Sequence, residues 1–355
     1  MAKQRKAECS LMAILFCFMV IFIHVSSVPV LKLNAYSWQH LMVFIPWKLF
    51  GVAVYGFIFL SGLKLFLSGT DSFSAGKFYR RRFVKILIPY VIWIVVYYLY
   101  YVDQEYYPFQ LSQLLEYLLT GEVASQFYFI VILIQFYGLM PLWVKIFPRV
   151  RPVFLLAGSL VITVFCYYEL PGILGFFGVD DFRYNDRLFT SYLFFWTAGC
   201  CAGMRYDAFT DFVRRRKIPI VLLFAALAVA EIAVFYQTLT QTAFFRWDIL
   251  LHYAYCTLAI LLTFLLSLGA ASRKWTASPW FRRLDYATFS IYLSHILIMN
   301  IVDYHIAEHG IWAVDVAYAW RFLFTYLIAV GGCLLYVFLK EKGKVLLLFA
   351  AEHKK

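Results

Sequence analysis

Five polar side chains lie inside long apolar runs: His24 in "MVIFIHVSSVP", Gln135, Glu231, His252, and His295 in "FSIYLSHILIMN". Imidazole is the side chain that exchanges protons near neutral pH, so His24 and His295 are candidates for moving a proton at a reacting hydroxyl. A second group is purely cationic. Arg80, Arg81 and Arg82 stand in a row with Lys77 and Lys85 around them, directly before an apolar stretch that starts at Phe83. Guanidinium forks make charge-assisted hydrogen bonds to phosphate, so this cluster could hold a phosphate-bearing ligand. A third set, Asp303, His305, Glu308 and His309, has spacing compatible with a helical metal site but reads better as a solvated acidic loop, and no metal is expected. The seven cysteines form no CxxC pair and suit small core positions, which implies neither zinc nor disulfides.

The elements that carry these residues follow from composition. The chain has 355 residues, 63% hydrophobic, 21% aromatic and 15% charged, with a mean hydropathy of +0.75. That balance excludes a soluble globular domain and describes a polytopic membrane protein. Stretches long enough to cross roughly 30 Å of hydrocarbon lie at 11–31, 42–67, 83–101, 127–147, 153–169, 188–204, 218–238, 248–270, 286–302 and 316–339. The expectation is an all-α bundle of about ten transmembrane helices in a single domain over 1–355. Lys3, Arg5 and Lys6 precede the first stretch as they would in a secretory signal. Its large side chains offer no small-residue cleavage site, so it is expected to stay as a mature helix.

Charge orients the bundle. With the N-terminus in the cytoplasm, most of the 32 basic residues fall on inner segments, among them Lys145, Arg149 and Arg151, the run Arg214 to Lys217, and the lysines after Leu339. The opposite loops are acidic, with Asp103, Glu105, Glu116 and Glu122, then Asp180, Asp181 and Asp186, then Asp303, Glu308 and Asp315. This is the positive-inside pattern, and it places both termini in the cytoplasm. Basic loops beside an anionic inner leaflet account for the net charge of +12 without nucleic acid. The longest outer loops, 102–126 and 170–187, could hold a short interfacial helix but no independent core. No internal repeat is evident, which counts against an inverted-repeat transporter.

Depth then sorts the polar residues. His24 lies thirteen residues beyond Leu11, or ~20 Å at ~1.5 Å per residue. His295 lies ten residues beyond Asp285, ~15 Å in. The two imidazoles should share a depth, and Gln135, Glu231 and His252 fall at mid to outer levels. A hydrated chamber opening outward would hold all five. The bland alternative is that each histidine is a hydrogen-bonding residue between helices, and that Glu231 is protonated or faces a water pocket.

An ordered set of motifs runs through nearly the whole chain. A histidine ends the first span; "VAVYGFIFLSGLKLF" follows in the second, "FYRRRFVKILIPY" enters the third, "SQFYFIVILIQFYGLMPLW" occupies the fourth, and "TFSIYLSHILI" lies near the end. In this order they resemble the acyltransferase 3 family of integral membrane acyltransferases. The resemblance implies transfer of an acyl group, commonly acetyl or succinyl, from cytoplasmic acyl-CoA to a hydroxyl of an extracytoplasmic glycan or other envelope molecule. It implies that His24 is catalytic and that Arg80, Arg81 and Arg82 are the family's basic cluster, and it suggests a bacterial plasma membrane. One position departs. Eleven residues before the histidine the family usually carries a cation, and here stands Ala13, with Ser10 in place of the acid upstream. Lys48, Lys64 or the arginine cluster is then expected to supply that charge, or the activity of this branch is altered.

The residue chemistry is compatible with such a donor. Cations at the water boundary, with Lys77 and Lys85 flanking, would grip the phosphates of acetyl-CoA, and Gly62 beside Ser61 could let a narrow arm pass or equally serve helix packing. A neutral imidazole at His24 would serve as base or as a nucleophile that carries the acyl group. Tyr128, Gln135, Glu231, Ser294 and His295 are candidates for contacting the substrate, with Tyr128, Ser294 or His295 as donors to a developing oxyanion. Two other classes fit the same polar interior: an exporter of a glycan or lipid-linked sugar, and a catalytically silent membrane sensor or scaffold. Membrane lipid is a partner under every reading.

Overall fold

A computed structural model describes residues 6–67, 69, 73–179 and 182–352, the side chains of 344–352 excepted. Lys3, Arg5, Asp180, Asp181, Lys354 and Lys355 of the charge pattern lie outside the described residues. The described residues form helices throughout, with no strand. In chain order these are α1 (Ala7–Lys32), α2 (Trp38–Phe50), α3 (Val52–Phe66), α4 (Ala75–Arg82) and α5 (Ile88–Asp103). Next come α6 (Leu111–Thr120), α7 (Tyr128–Gly138), α8 (Met140–Ile146), α9 (Pro152–Phe176) and α10 (Leu193–Met204). The last are α11 (Tyr206–Arg215), α12 (Lys217–Leu239), α13 (Asp248–Ala271), α14 (Pro279–Glu308) and α15 (Val314–Glu352).

Among the described residues, seven runs are long and apolar enough to cross a bilayer: Ala7–Lys32, Trp38–Phe66, Ala75–Asp103, Pro152–Phe176, Lys217–Leu239, Asp248–Ala271 and Val314–Gly343. They coincide with seven of the stretches read from the sequence. The stretch 127–147 is a broken pair, Tyr128–Gly138 and Met140–Arg149, bent by 56° and an eighth span if counted as one. The other two stretches fall on α10 and α14. Twelve residues give α10 only ~18 Å of rise. Helix α14 has the length, 30 residues, but His295, Asn300 and its charged ends make it more polar. The first outer loop contains α6, closed by Gly121 at φ 72°, where a Cβ would meet the Phe127 backbone at 2.9 Å.

The chain divides into two compact units. The first comprises Met1–Ala53, Ala225–Asp248 and Leu262–Lys355. At its centre is α1, apolar on every face, the pattern of a helix surrounded by protein rather than one lying at a surface. Its N-terminal end packs Leu11 and Ile14 on Phe281, and its C-terminal end packs Val30 against Val43 and Phe44. Helix α15 runs beside it, with Tyr326 Oη donating to the Phe18 carbonyl at 2.7 Å and Phe322 edge-on to Phe22 at 6.0 Å. The second unit comprises Val54–Phe224 and Ile249–Leu261. Phe136 stacks on fully buried Trp196 there, 4.4 Å apart and 10° from parallel.

Candidate active site

In the first unit α1 and α14 bring His24 and His295 together, ring centroids 5.2 Å apart. The two rings are not equivalent. His295 is completely buried, whereas His24 is only half-buried. His295 Nδ1 lies 2.7 Å from the Tyr292 carbonyl and 3.2 Å from that of Ile291. Carbonyls only accept, so Nδ1 carries the proton and the neutral ring keeps its lone pair on Nε2. That Nε2 has no hydrogen-bond partner among the described residues. A buried polar atom left unpaired costs about 1–3 kcal/mol, so it points to something the site is built to meet. The arrangement makes Nε2 an acceptor. His295 could serve as an oxyanion donor only by taking a second proton. Beside it, Ser294 Oγ is buried, near the Ile291 carbonyl at 3.5 Å and Cys333 Sγ at 3.7 Å.

Glu231 belongs to the same unit. Its carboxylate meets Lys48 Nζ at 2.9 Å, and both side chains are withdrawn from solvent. The ammonium also sits 3.9 Å from the centroid of the Phe235 ring. Glu231 is therefore held as an ion pair with Lys48, while Ala13 stays in the apolar core. His40, not singled out in the sequence, is fully buried at the start of α2 and donates from Nε2 to the Val30 carbonyl at 3.1 Å. Ser37 caps that helix by accepting from the His40 N–H, the one local signal for its placement.

The second unit holds the basic cluster. Lys77, Arg80, Arg81 and Lys85 are exposed, and Arg82 is half-buried. Arg82 lies over two rings, 4.7 Å from Tyr137 and 5.2 Å from Phe78. Arg80 and Arg82 edge a groove of about 450 Å³ whose other walls are Tyr79, Phe83, Ile86, Leu87, Ile134 and Tyr137. Cations at the rim of an apolar groove suit a ligand with an anionic end and a less polar arm. Tyr137 Oη reaches Ser61 Oγ at 2.9 Å, which fixes the ring under the guanidinium.

Gly62 does not provide a passage. A Cβ there would lie 2.6 Å from the Trp196 carbonyl oxygen and 3.0 Å from the Cys200 nitrogen. Gly199 and Gly203 face the Phe59 and Leu63 backbone in the same way. The three glycines let α3 and α10 touch main chain to main chain, so the space beside Ser61 is filled by helix packing. Gln135 is committed as well. Its amide donates to the Arg187 carbonyl at 2.7 Å and its oxygen accepts the Phe189 N–H at 3.1 Å, which pins the loop before α10. Tyr128 is hydrogen-bonded to Tyr192, and His252 stands 5.2 Å from the Tyr55 ring. Of the candidates, the first unit thus gathers His24, Ser294 and His295 and pairs Glu231, while Tyr128 and Gln135 belong to the second. Asp303 turns to Arg321 and His305 to Glu308, so the acidic outer set does not converge on one point.

The described residues thus form a helical membrane protein in which a half-buried imidazole, His24, meets a buried one, His295, whose Nε2 has no hydrogen-bond partner among them. The particular chemistry comes from comparison. The model of the family described as Acyltransferase domain matches residues 11–338, and the chain belongs to that family. It is an acyltransferase that transfers groups other than aminoacyl groups. No curated protein and no solved structure matches it.

Proposed function

We propose that the protein moves an acyl group, acetyl in the simplest case, from acyl-CoA to a hydroxyl of an extracytoplasmic glycan or envelope acceptor, as a multi-pass protein of a bacterial plasma membrane. About ten crossings with both termini in the cytoplasm fit the charge pattern. The observation that carries the reading is the imidazole pair: His24 half-buried, and His295 behind it with a free Nε2 lone pair.

In this scheme His24 removes the acceptor hydroxyl proton as the oxygen attacks the thioester carbonyl carbon. The tetrahedral intermediate collapses, the C–S bond breaks, and the thiolate leaves with the proton returned from the imidazolium. The products are an O-acyl ester and free coenzyme A. His295 fixes the orientation of His24 and supplies a lone pair beside it when the first ring is charged. Ser294, next to His295 in sequence, is the hydroxyl proposed to meet the developing oxyanion. Arg80, Arg81 and Arg82, with Lys77 and Lys85, hold the phosphates of the donor, whose long arm separates its charged end from its reactive carbon.

The full chain in detergent, given radiolabelled acetyl-CoA, should hydrolyse it slowly and label an envelope glycan fraction saturably. His24→Ala should lose both activities and stay monodisperse. Undiminished turnover in that variant removes His24 from the mechanism, and flux of glycan across vesicles without donor consumption would favour an exporter.

A further inference from the structure

The outer end of the first unit contains a cleft of about 160 Å³ that the chemistry above does not use. Its walls come from α1, α14 and α15, and the side chains that matter are Lys32, Asp303, Trp312, Tyr318 and Arg321. Val28, also in the wall, is four residues beyond His24, and Lys32 is eight, so the cleft starts ~6 Å along the helix from the imidazole and extends to ~12 Å. Tyr318 ties it to the same segment, its hydroxyl 3.1 Å from Ser26 Oγ.

Three features of the cleft point to one class of ligand. Arg321 Nε donates to Asp303 Oδ1, and neither residue is fully exposed, with 12% and 30% of their side chains accessible. A guanidinium has five N–H groups and a carboxylate two oxygens, so one bond leaves donors and an acceptor fixed side by side with no partner among the described residues. Trp312 contributes a broad apolar face and is 76% exposed. Lys32 is exposed at the rim and leaves the cleft with a net positive charge, since Asp303 and Arg321 offset each other. A flat aromatic surface beside paired donors and acceptors matches a pyranose, which has an apolar C–H face and a ring of hydroxyls.

We propose that this cleft is a sugar subsite that holds one pyranose unit of the acceptor, its C–H face on Trp312 and its hydroxyls on Asp303 and Arg321, with Lys32 favouring sugars that carry an anionic group. The inference rests on the acyltransfer reading for its role, but sugar binding itself is independent of donor chemistry. An interfacial tryptophan could otherwise serve only to anchor the helix in the headgroup region.

The test uses the full chain in nanodiscs, with methyl glucoside and methyl glucuronide as probes, read by saturation-transfer NMR, and labelled acetyl-CoA hydrolysis in parallel. Wild type should transfer saturation to the ring C–H protons of both, with the glucuronide favoured. Trp312→Ala should abolish the signal and keep acetyl-CoA hydrolysis. Lys32→Ala should weaken the glucuronide by about fivefold, the effect of ~1 kcal/mol, and spare the glucoside. Asp303→Asn, which keeps the shape, guards against misfolding and should also lower both signals. No saturation at the wild-type protein, or equal saturation in Trp312→Ala, overturns the subsite while leaving acyl transfer intact. Saturation without any acetyl-CoA turnover would overturn the acyltransfer reading and leave the sugar cleft standing.

Discussion

The Lys48–Glu231 pair offers the sharpest test of how the first unit is held. Its charges are 2.9 Å apart, and at an effective dielectric near 20 that separation gives a gross attraction of about 6 kcal/mol. Desolvating both ions offsets most of it, so the net contribution of the pair is small. Removing one partner is different, because it leaves a buried charge alone, and that costs about 3–5 kcal/mol. Lys48→Met keeps the stem over Phe235, and Glu231→Leu keeps the volume on α12. Each single variant should lower the melting temperature in detergent by on the order of 6–20 °C, at roughly 2–4 °C per kcal/mol. Together they should return to within a few degrees of wild type, since an apolar pair replaces a compensated ionic one. Thermal unfolding followed by size-exclusion of the surviving monodisperse fraction measures all four corners of the cycle. Losses that simply add in the double variant would refute the pairing and with it the assignment of Lys48 as a compensated cation of this unit.

Three further outcomes follow from the geometry. Gly199→Ala should destabilise the second unit by about 1–3 kcal/mol, because the new methyl meets Phe59 backbone rather than a movable side chain; a melting temperature equal to wild type would mean the α3–α10 contact is loose. Arg82→Ala should weaken acetyl-CoA binding, measured by calorimetry, by about tenfold or more, the loss of one charge-assisted hydrogen bond; Tyr137→Phe, which keeps the ring but releases it from Ser61, should weaken binding less. His295→Phe should lower kcat by about 10²-fold, the scale of proton-transfer assistance, with KM for the donor unchanged. A fall in donor affinity instead would make His295 part of a binding wall.

Much of this was legible in residue patterns. The apolar runs marked every major helix, and the similar depths counted from Leu11 and Asp285 are compatible with the contact of His24 and His295, which the sequence itself did not pair. What hid from one-dimensional reading were partners brought in by other helices. Glu231 read as a substrate contact, a protonated acid or a group facing a water pocket, because Lys48 is far from it in sequence. Gln135 looked available, yet its amide answers the backbone of a loop more than fifty residues away. Gly62 permits two readings, space or contact, and only the position of the Trp196 carbonyl decides between them. Trp312 and Arg321 gave no signal, since a lone tryptophan at a span edge is ordinary in a chain this aromatic. The broken span shows the same limit. A continuous apolar run from 127 to 147 reads as one helix, and the 56° bend near Leu139 and Pro141 has only the proline to announce it.

The polar groups along α1 form a sequence that makes physical sense as a path. In lipid an unpaired polar group is costly, so such groups either pair or serve. Toward its N-terminus α1 buries Leu11, Ala13 and Ile14 together with Glu8 and Ser10. At His24 a single unmatched lone pair, His295 Nε2, is placed against a half-buried ring. Two residues on, Ser26 is matched by Tyr318, and beyond it Lys32 overlooks the Asp303–Arg321 pair in the open cleft. The polar groups of α1 therefore differ in what meets them: Ser26 is buried and paired, whereas Lys32 is exposed at the cleft. Introducing a carboxylate at Ala13, which is buried in the apolar core, would place a charge where the wild type has a methyl group. Ala13→Asp should thus cost stability of the folded unit as well as activity, and a variant that melts like wild type would show that the inner half of α1 is hydrated.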